Sequence, residues 1–493
     1  MKFHWFNLMP WPHLPEDFRE TNRSVWVDVD SRLFDPVEGH RVYNEYLDQL
    51  EYAASLGYDG IGVNEHHQNA YGMMPSPQIM AASLARRTKD VTLLLLGQSI
   101  ALYNPPTRVA EEMAMLDVMS GGRLVAGFPV GTSMDDNFCF GSNPATLRDK
   151  YRENHDLIRR AWEDPEVFSW NGEYNKIRYV NLWPRPIQQP PPIWIPGGGS
   201  IETWDFCAEM GYNYSYLSFN GYVRGEALMQ GFWNRLGELG VDFNPFQGAF
   251  AQQIVVAETD DQAEQMYTEH MQYFFDKCLH VYPGFADAPG YRTENTIRAG
   301  LRAGGAQGLG VAHTLSWDDW VREGYIVAGS PDSVTEQIEA LATKLQVGHL
   351  VCLLHVGDMP DDKCRASTKL FAEQVMPRVK HIWDDYEDHW SPKPVGAQHV
   401  ASPAPVLAGS NLVPRAPPGA RRRGAFPPPP WGVRGRVAFD GGLRARSAPL
   451  CLRHLPPLRG GRGEMRRGVS PRCAGGERIV AALFSGRRTS RTQ

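Results

Sequence analysis

Four consecutive polar residues, Asn64, Glu65, His66 and His67, follow the short apolar run YDGIGV. An imidazole titrates near neutrality, so His66 or His67 can serve as a general acid or base. Four such side chains at a strand end are costly to bury unless they face solvent or a ligand; a satisfied surface loop is the alternative. A second run, Gly197, Gly198, Gly199 and Ser200, ends the strand-like IWIP and opens the helix-like IETWDFCAEMG. A glycine turn there exposes backbone N–H groups, and the helix N-terminus adds the positive end of its dipole, which together suit a phosphate. Ser200 can bind that phosphate or cap the helix, and Thr203 on the first turn can point the same way. A plain glycine-rich turn with a serine cap explains the same residues.

Other chemistries lack their residues. No GxGxxG follows a strand, and there is no GxxxxGK[ST] phosphate loop. There is no GxSxG nucleophile elbow. His66 and His67 follow Glu65 without an HExxH spacing or a third ligand, so no metal is expected. Cys139, Cys207, Cys278, Cys352, Cys364, Cys451 and Cys473 are scattered without CxxC pairs, the pattern of free thiols in a reducing compartment.

The elements that must position these residues alternate between strand and helix signals. HRVYNEYLDQLEYAASLG spaces Val42, Tyr46, Leu50 and Ala53 on one helical face and stops at Gly57. VTLLLLGQSI is a continuous apolar run, as in a strand buried on both faces. PPTRVAEEMAMLDVMS opens a helix with proline, and PATLRDKYRENHDLIRRAWE is long and amphipathic. FSWNGEYNKIRYVNLWP predicts an inserted hairpin around Asn171 and Gly172. KFHWFNLM, GGRLVAGFPVG, YNYSYLS, AFAQQIVVAE and GHLVCLLHV supply further strands. About eight repeated strand–helix units imply an α/β fold, and a closed (β/α)8 TIM barrel with insertions fits them better than an open doubly wound sheet. Residues 281–327 are poorly periodic and long for a loop, which suggests a functional lid.

The net charge of −6 conceals two opposite parts. From Pro394 onward 18 Arg and no Lys stand against 3 acids, a net +15, which leaves 32 Lys and Arg against 53 Asp and Glu, or −21, in residues 1–393. An acidic domain of that kind repels nucleic acid. No run of about 18 apolar residues exists to span a membrane. The N-terminus lacks a basic region followed by an apolar one, so a cytoplasmic protein is expected. The chain therefore divides into a barrel over 1–385 and a basic tail over 386–493. The tail holds 14 prolines from Pro394 on, and it is expected to be disordered because it cannot bury enough apolar surface to offset ordering entropy. A nucleic-acid-binding arm is one alternative. Arg-rich, Lys-free, Pro/Gly/Ala-rich text also reads as out-of-frame or unselected sequence.

The stretch LLLLGQSIALYNPPTRVAEEMAMLDVMSGGRLVAGFPVG, 93–131, resembles the signature of the bacterial luciferase-like monooxygenases, a class of flavin-dependent oxidoreductases. NEHH and PGGGSIETWDFCAEMG are similar to two further parts of that family's pattern, in the same order. The resemblance implies a barrel that binds reduced FMN at the C-terminal ends of its strands. It implies His66, with His67 beside it, as the catalytic histidine, and Gly198, Gly199, Ser200 and Thr203 at the flavin phosphate. Asn64 lies at the same mouth, and Gln98 sits where the family has an unusual cis peptide under the flavin ring. Where luciferases carry a phosphate-gripping Arg after the fourth strand, this chain has Val130. The implied reaction is oxygenation of a small organic substrate, an aldehyde, ketone or similar, with O2. Reduced FMN would come from a separate NAD(P)H-dependent flavin reductase. The protein would self-associate as a homodimer or larger homo-oligomer through the helices after the second and third strands. A deazaflavin-dependent hydride-transferring reductase on the same fold is the second reading, and a non-catalytic flavin-binding barrel a third.

Overall fold

In the computed structural model the described residues are 1–395 apart from 132, 218, 287, 289, 295 and 299–310. Eleven strands occur among them: β1 (Lys2–Phe6), β2 (Gly60–Val63), β3 (Thr92–Leu95), β4 (Leu124–Gly127), β5 (Phe168–Asn171), β6 (Lys176–Val180), β7 (Ile193–Gly197), β8 (Asn213–Tyr216), β9 (Gly248–Val256), β10 (Ile326–Gly329) and β11 (His349–Leu353). Parallel pairing runs β1-β2-β3-β4-β7-β8-β9-β11 and returns to β1, which closes an eight-stranded barrel. The apolar runs explain the closure: every residue of β2, β3, β4, β8, β9 and β11 is buried, as strands covered inside and outside must be. Helices cross between them. The helix Pro36–Ser55 starts where the Asp35 carboxylate accepts from the N–H groups of Val37 and Glu38, and it buries Val42, Tyr46, Leu50 and Ala53 against the barrel. No helix among the described residues is long and apolar enough to cross a membrane.

The SGGR segment proves to be a structural device. Arg123 is buried, and its guanidinium donates to the carbonyls of Ala85, Thr88, Val91 and Ser120 and to the Thr88 hydroxyl. It thereby satisfies the C-terminal end of the helix Pro77–Arg87 and meets its negative dipole end. The hairpin β5–β6 is present, but Asn171 pairs with Lys176 inside the ladder, so the turn lies one residue later than expected. The Glu153 carboxylate fixes it by accepting from the backbone N–H groups of Glu173, Tyr174 and Asn175.

The expectation of a lid over 281–327 needs correction. Its residues 311–327 are folded: the helix Trp317–Arg322 carries a capping box between Ser316 and Asp319, buries Trp317 and Trp320, and leads into β10. Residues 287, 289, 295 and 299–310 of that stretch lie outside the described residues. β10 adds to β9 outside the closed ring, and its Ala328 N–H and carbonyl are both engaged by the side-chain amide of Gln337. The expected boundary at 385/386 also shifts. Residues 386–395 bond to the base of the barrel: Trp390 accepts from Trp194 Nε1 at 3.0 Å and donates to Gly211, Asp388 lies 3.6 Å from His349, and the Val395 N–H reaches Gly121. The expectation of a disordered tail beyond that point lies outside the described residues.

Candidate active site

The C-terminal ends of β2, β3, β4 and β7 carry the residues singled out in the sequence. β2 is followed by Asn64, which is buried with no hydrogen-bond partner for its Oδ1. Glu65 is also buried. Its carboxylate accepts from His67 Nε2 at 3.0 Å, from the Ser99 N–H at 3.0 Å and from the Tyr103 hydroxyl. His66 pairs through Nδ1 with Asp135 Oδ2 at 3.0 Å, and the same oxygen accepts from Asn69 Nδ2 at 2.7 Å. The two histidines therefore part company: His67 is held by its own neighbour Glu65 and faces Phe140, while His66 turns toward Asp135 and packs edge-on against Tyr71 at 4.7 Å.

Asp135 and Asp136 come from the short helix Met134–Phe140 after β4 and were not singled out by sequence pattern. Both are buried, and each leaves one carboxylate oxygen without a partner. Ligand atoms of His66, Asp135 and Asp136 lie within 4.8 Å of one another. Burial alone would depress the His66 pKa, but the Asp135 hydrogen bond and the charges of Asp135, Asp136 and Glu65 outweigh it and raise the pKa. Asp135 moves the other way: burial opposes its ionisation, and the His66 charge and hydrogen bond more than offset that and hold it below the usual range. Burial, then the charge of Asp135, pushes Asp136 well above the carboxylate range. Within the trio, Asp135 is thus the carboxylate that favours a charged His66, and Asp136 is the one that resists ionisation.

After β3 the cis peptide joins Leu96 to Gly97, just before Gln98 rather than at it. The close approach needs glycine: a Cβ on Gly97 would lie 2.5 Å from the Gly127 carbonyl oxygen. Gln98 is fully buried beside Tyr103, and neither of its amide atoms has a well-formed hydrogen bond. After β4, Val130 is buried and apolar.

After β7, Gly198 faces open space and Gly199 adopts φ +101°, a conformation that favours glycine. Ser200 begins the helix Ile201–Met210 but makes no side-chain cap. Its hydroxyl instead donates to Glu202 Oε2 at 2.7 Å and accepts from Arg148 Nη2 at 3.2 Å. Thr203 is buried on the first turn. Arg148, on the helix Leu147–Glu163, was missed because nothing in the sequence separates it from other basic residues of an amphipathic helix. A cofactor fits these residues: a glycine turn at a helix start, with room around Gly198 and an arginine beside Ser200, and orphaned buried amide atoms at Asn64 and Gln98.

A parallel barrel with a buried polar cluster and a glycine-rich loop at its strand C-termini has the layout of a barrel enzyme. A family profile described as luciferase-like monooxygenase matches residues 25–347, and the chain belongs to that family of oxygen-inserting enzymes. The oxygenase component of the flavin-dependent trigonelline monooxygenase of Acinetobacter baylyi is 26% identical over 321 residues, covering 64% of this chain and 84% of the relative. The F420-dependent glucose-6-phosphate dehydrogenase of Amycolatopsis mediterranei is 27% identical over 167 residues, covering 31% and 48%. Among solved structures, the oxygenating constituent of 3,6-diketocamphane monooxygenase from Pseudomonas putida aligns with TM-score 0.57 at 19% identity, covering 76% of this chain and 98% of that one.

Proposed function

We propose that the protein is the oxygenase half of a two-component flavin monooxygenase, which uses reduced FMN and O2 to oxygenate a small organic substrate such as an aldehyde or ketone. The observation that carries this reading is the part-buried His66–Asp135 pair at the mouth of the barrel, with the Gly198–Gly199–Ser200 cradle on a neighbouring loop. When bound, reduced FMN supplies the electrons that activate O2. The chain's own residues do the rest. Ser200, Thr203 and the backbone of Gly198 and Gly199 hold the phosphate, and Asn64 and Gln98 offer amides to the polar edge of the ring. His66, kept protonated by Asp135, holds the proton that the oxygenation consumes; His67, fixed on Glu65, walls the site beside Phe140. Tyr71 and Trp26, packed around His66, exclude water from it.

The oxygenase component named for the trigonelline enzyme supports a separate reductase as the source of reduced FMN. A cytoplasmic setting suits Cys139, Cys207, Cys278, Cys352 and Cys364, which are all free. A homo-oligomeric state is supported by Ile79, Met115, Val118 and Met119, large apolar side chains left exposed on the helices after β2 and β3. The deazaflavin reading draws on the F420-dependent relative. The two readings part on oxygen. The chain supplied with FMN, NADH and a flavin reductase is expected to add substrate-dependent product formation to O2 uptake. Hydride transfer from reduced deazaflavin with no oxygenated product would replace the proposal. Flavin titration without any turnover would leave only a binding barrel.

A further inference from the structure

We propose that Glu202 and Arg148 make the phosphate cradle selective for a phosphorylated flavin: the Glu202 carboxylate is the cradle's resident anion, and it gives way to the cofactor phosphate, whose charge Arg148 meets. The inference rests on the FMN reading above. Glu202 sits on the first turn of the helix Ile201–Met210 and gathers hydroxyl donors from two sides. Its Oε2 accepts from Ser200 at 2.7 Å and from Thr296 at 2.8 Å, and its Oε1 from Thr293. Burial resists its ionisation, but the hydroxyls of Thr293, Ser200 and Thr296 and its own backbone N–H bring its pKa down to about 2. It is therefore an anion lying over a helix N-terminus, with the Ser200 hydroxyl that a phosphate would need already engaged.

Arg148 stands on the other side of the same hydroxyl. Its Nη2 donates to Ser200 Oγ, its Nε is buried without a partner, and its guanidinium lies 5.1 Å from the Tyr291 ring centroid. The guanidinium thus has donor capacity left for a planar pair of oxygens. Val130, buried after β4, brings no charge. A phosphate dianion entering beside Glu202 meets like charge until that carboxylate turns away. The turn frees Ser200, Thr293 and Thr296 to donate to the phosphate instead. An unphosphorylated flavin has nothing to exchange for the carboxylate and gains nothing from Arg148.

The test is fluorescence titration of the full chain with FMN and with riboflavin, for the natural protein, Glu202→Gln and Arg148→Gln. Glu202→Gln keeps the shape and removes the competing charge. It is expected to tighten FMN about threefold or more while riboflavin affinity stays level. Arg148→Gln is expected to weaken FMN about tenfold, to flatten the salt dependence of FMN binding, and to leave riboflavin unchanged. Should Arg148→Gln melt early, Arg148→Lys keeps the charge without the fork and is expected to lose less FMN affinity. Weaker FMN binding by Glu202→Gln, or equal changes for both flavins, overturns the inference while the FMN reading stands. Binding of neither flavin by the natural chain overturns both.

Discussion

At the scale of single residues, the site separates two jobs that share one mouth. Ser200 serves affinity, and His66 serves the proton. Loss of one charge-assisted hydrogen bond to phosphate costs about 1.5–3 kcal/mol, so Ser200→Ala is expected to raise the FMN dissociation constant about tenfold or more, with turnover restored at saturating flavin. His66→Ala is expected to lower turnover at saturating reduced FMN by about 10²–10⁴ with little change in affinity, the range typical of a lost general acid. Flavin titration beside single-turnover oxidation checks both, and reversed phenotypes would reverse the assignment. The His66–Asp135 pair adds a pH signature. Asp135 raises the His66 pKa, so a step that needs the imidazolium persists to higher pH and fails as pH rises through that raised value. Asp135→Asn is expected to move the alkaline limb of the pH–rate profile to lower pH; a limb that stays in place would remove His66 from the proton step. The NEHH and GGGS runs were visible as chemistry because their residue types are unusual at strand ends. Their partners were not. Asp135 stands 69 positions from His66, in MDDNF, which reads only as acids favouring a helix start. Contact across the barrel mouth has no local signal.

At the scale of elements, long periodic helices and uninterrupted apolar strands were legible, because burial on both faces dictates composition. The element the sequence hid is β10, four residues wide in IVAG, following a stretch without apolar periodicity; its strand character comes from pairing with β9 rather than from local propensity. The hairpin was visible as a turn, but its register was set by Glu153 on a distant helix instead of by the Asn171–Gly172 pair. Arg123 shows the same lesson within a recognised motif. SGGR looked like part of a functional signature, yet its arginine faces five acceptors at a helix end and none at the mouth. Arg123→Lys keeps the charge and cannot span those acceptors. Losing two or more such bonds in a buried place is expected to cost about 3 kcal/mol, seen as a lower melting temperature with flavin affinity preserved at a permissive temperature. A variant that melts normally but binds flavin poorly would return Arg123 to the site.

At the scale of the whole molecule, the barrel has a chemical end and a sealed end. The orphaned polar atoms of Asn64, Gln98, Asp135 and Asp136 collect at strand C-termini, while residues 386–395 tie the opposite end through Trp390 and Asp388. The side wall carries a third feature, the exposed apolar side chains of Ile79 on one helix and of Met115, Val118 and Met119 on the next. Sedimentation is expected to find a dimer or larger assembly at micromolar concentration, and Met115→Lys to shift it toward monomer; an unshifted natural-chain monomer would sink the oligomer. A closed ring of strands offers no free edge; among the described residues the hairpin β5–β6 stands apart from it, and β10, all four of whose residues are buried, is added outside it. There the amide of Gln337 reaches 2.8 Å to the Ala328 carbonyl and 3.2 Å to its N–H, doing for one residue what a neighbouring strand would do. Gln337 thereby occupies the Ala328 groups that a further strand would need. Gln337→Leu should leave turnover nearly intact in fresh protein, yet turn slow warming into visible, thioflavin-positive aggregation where the natural chain stays clear.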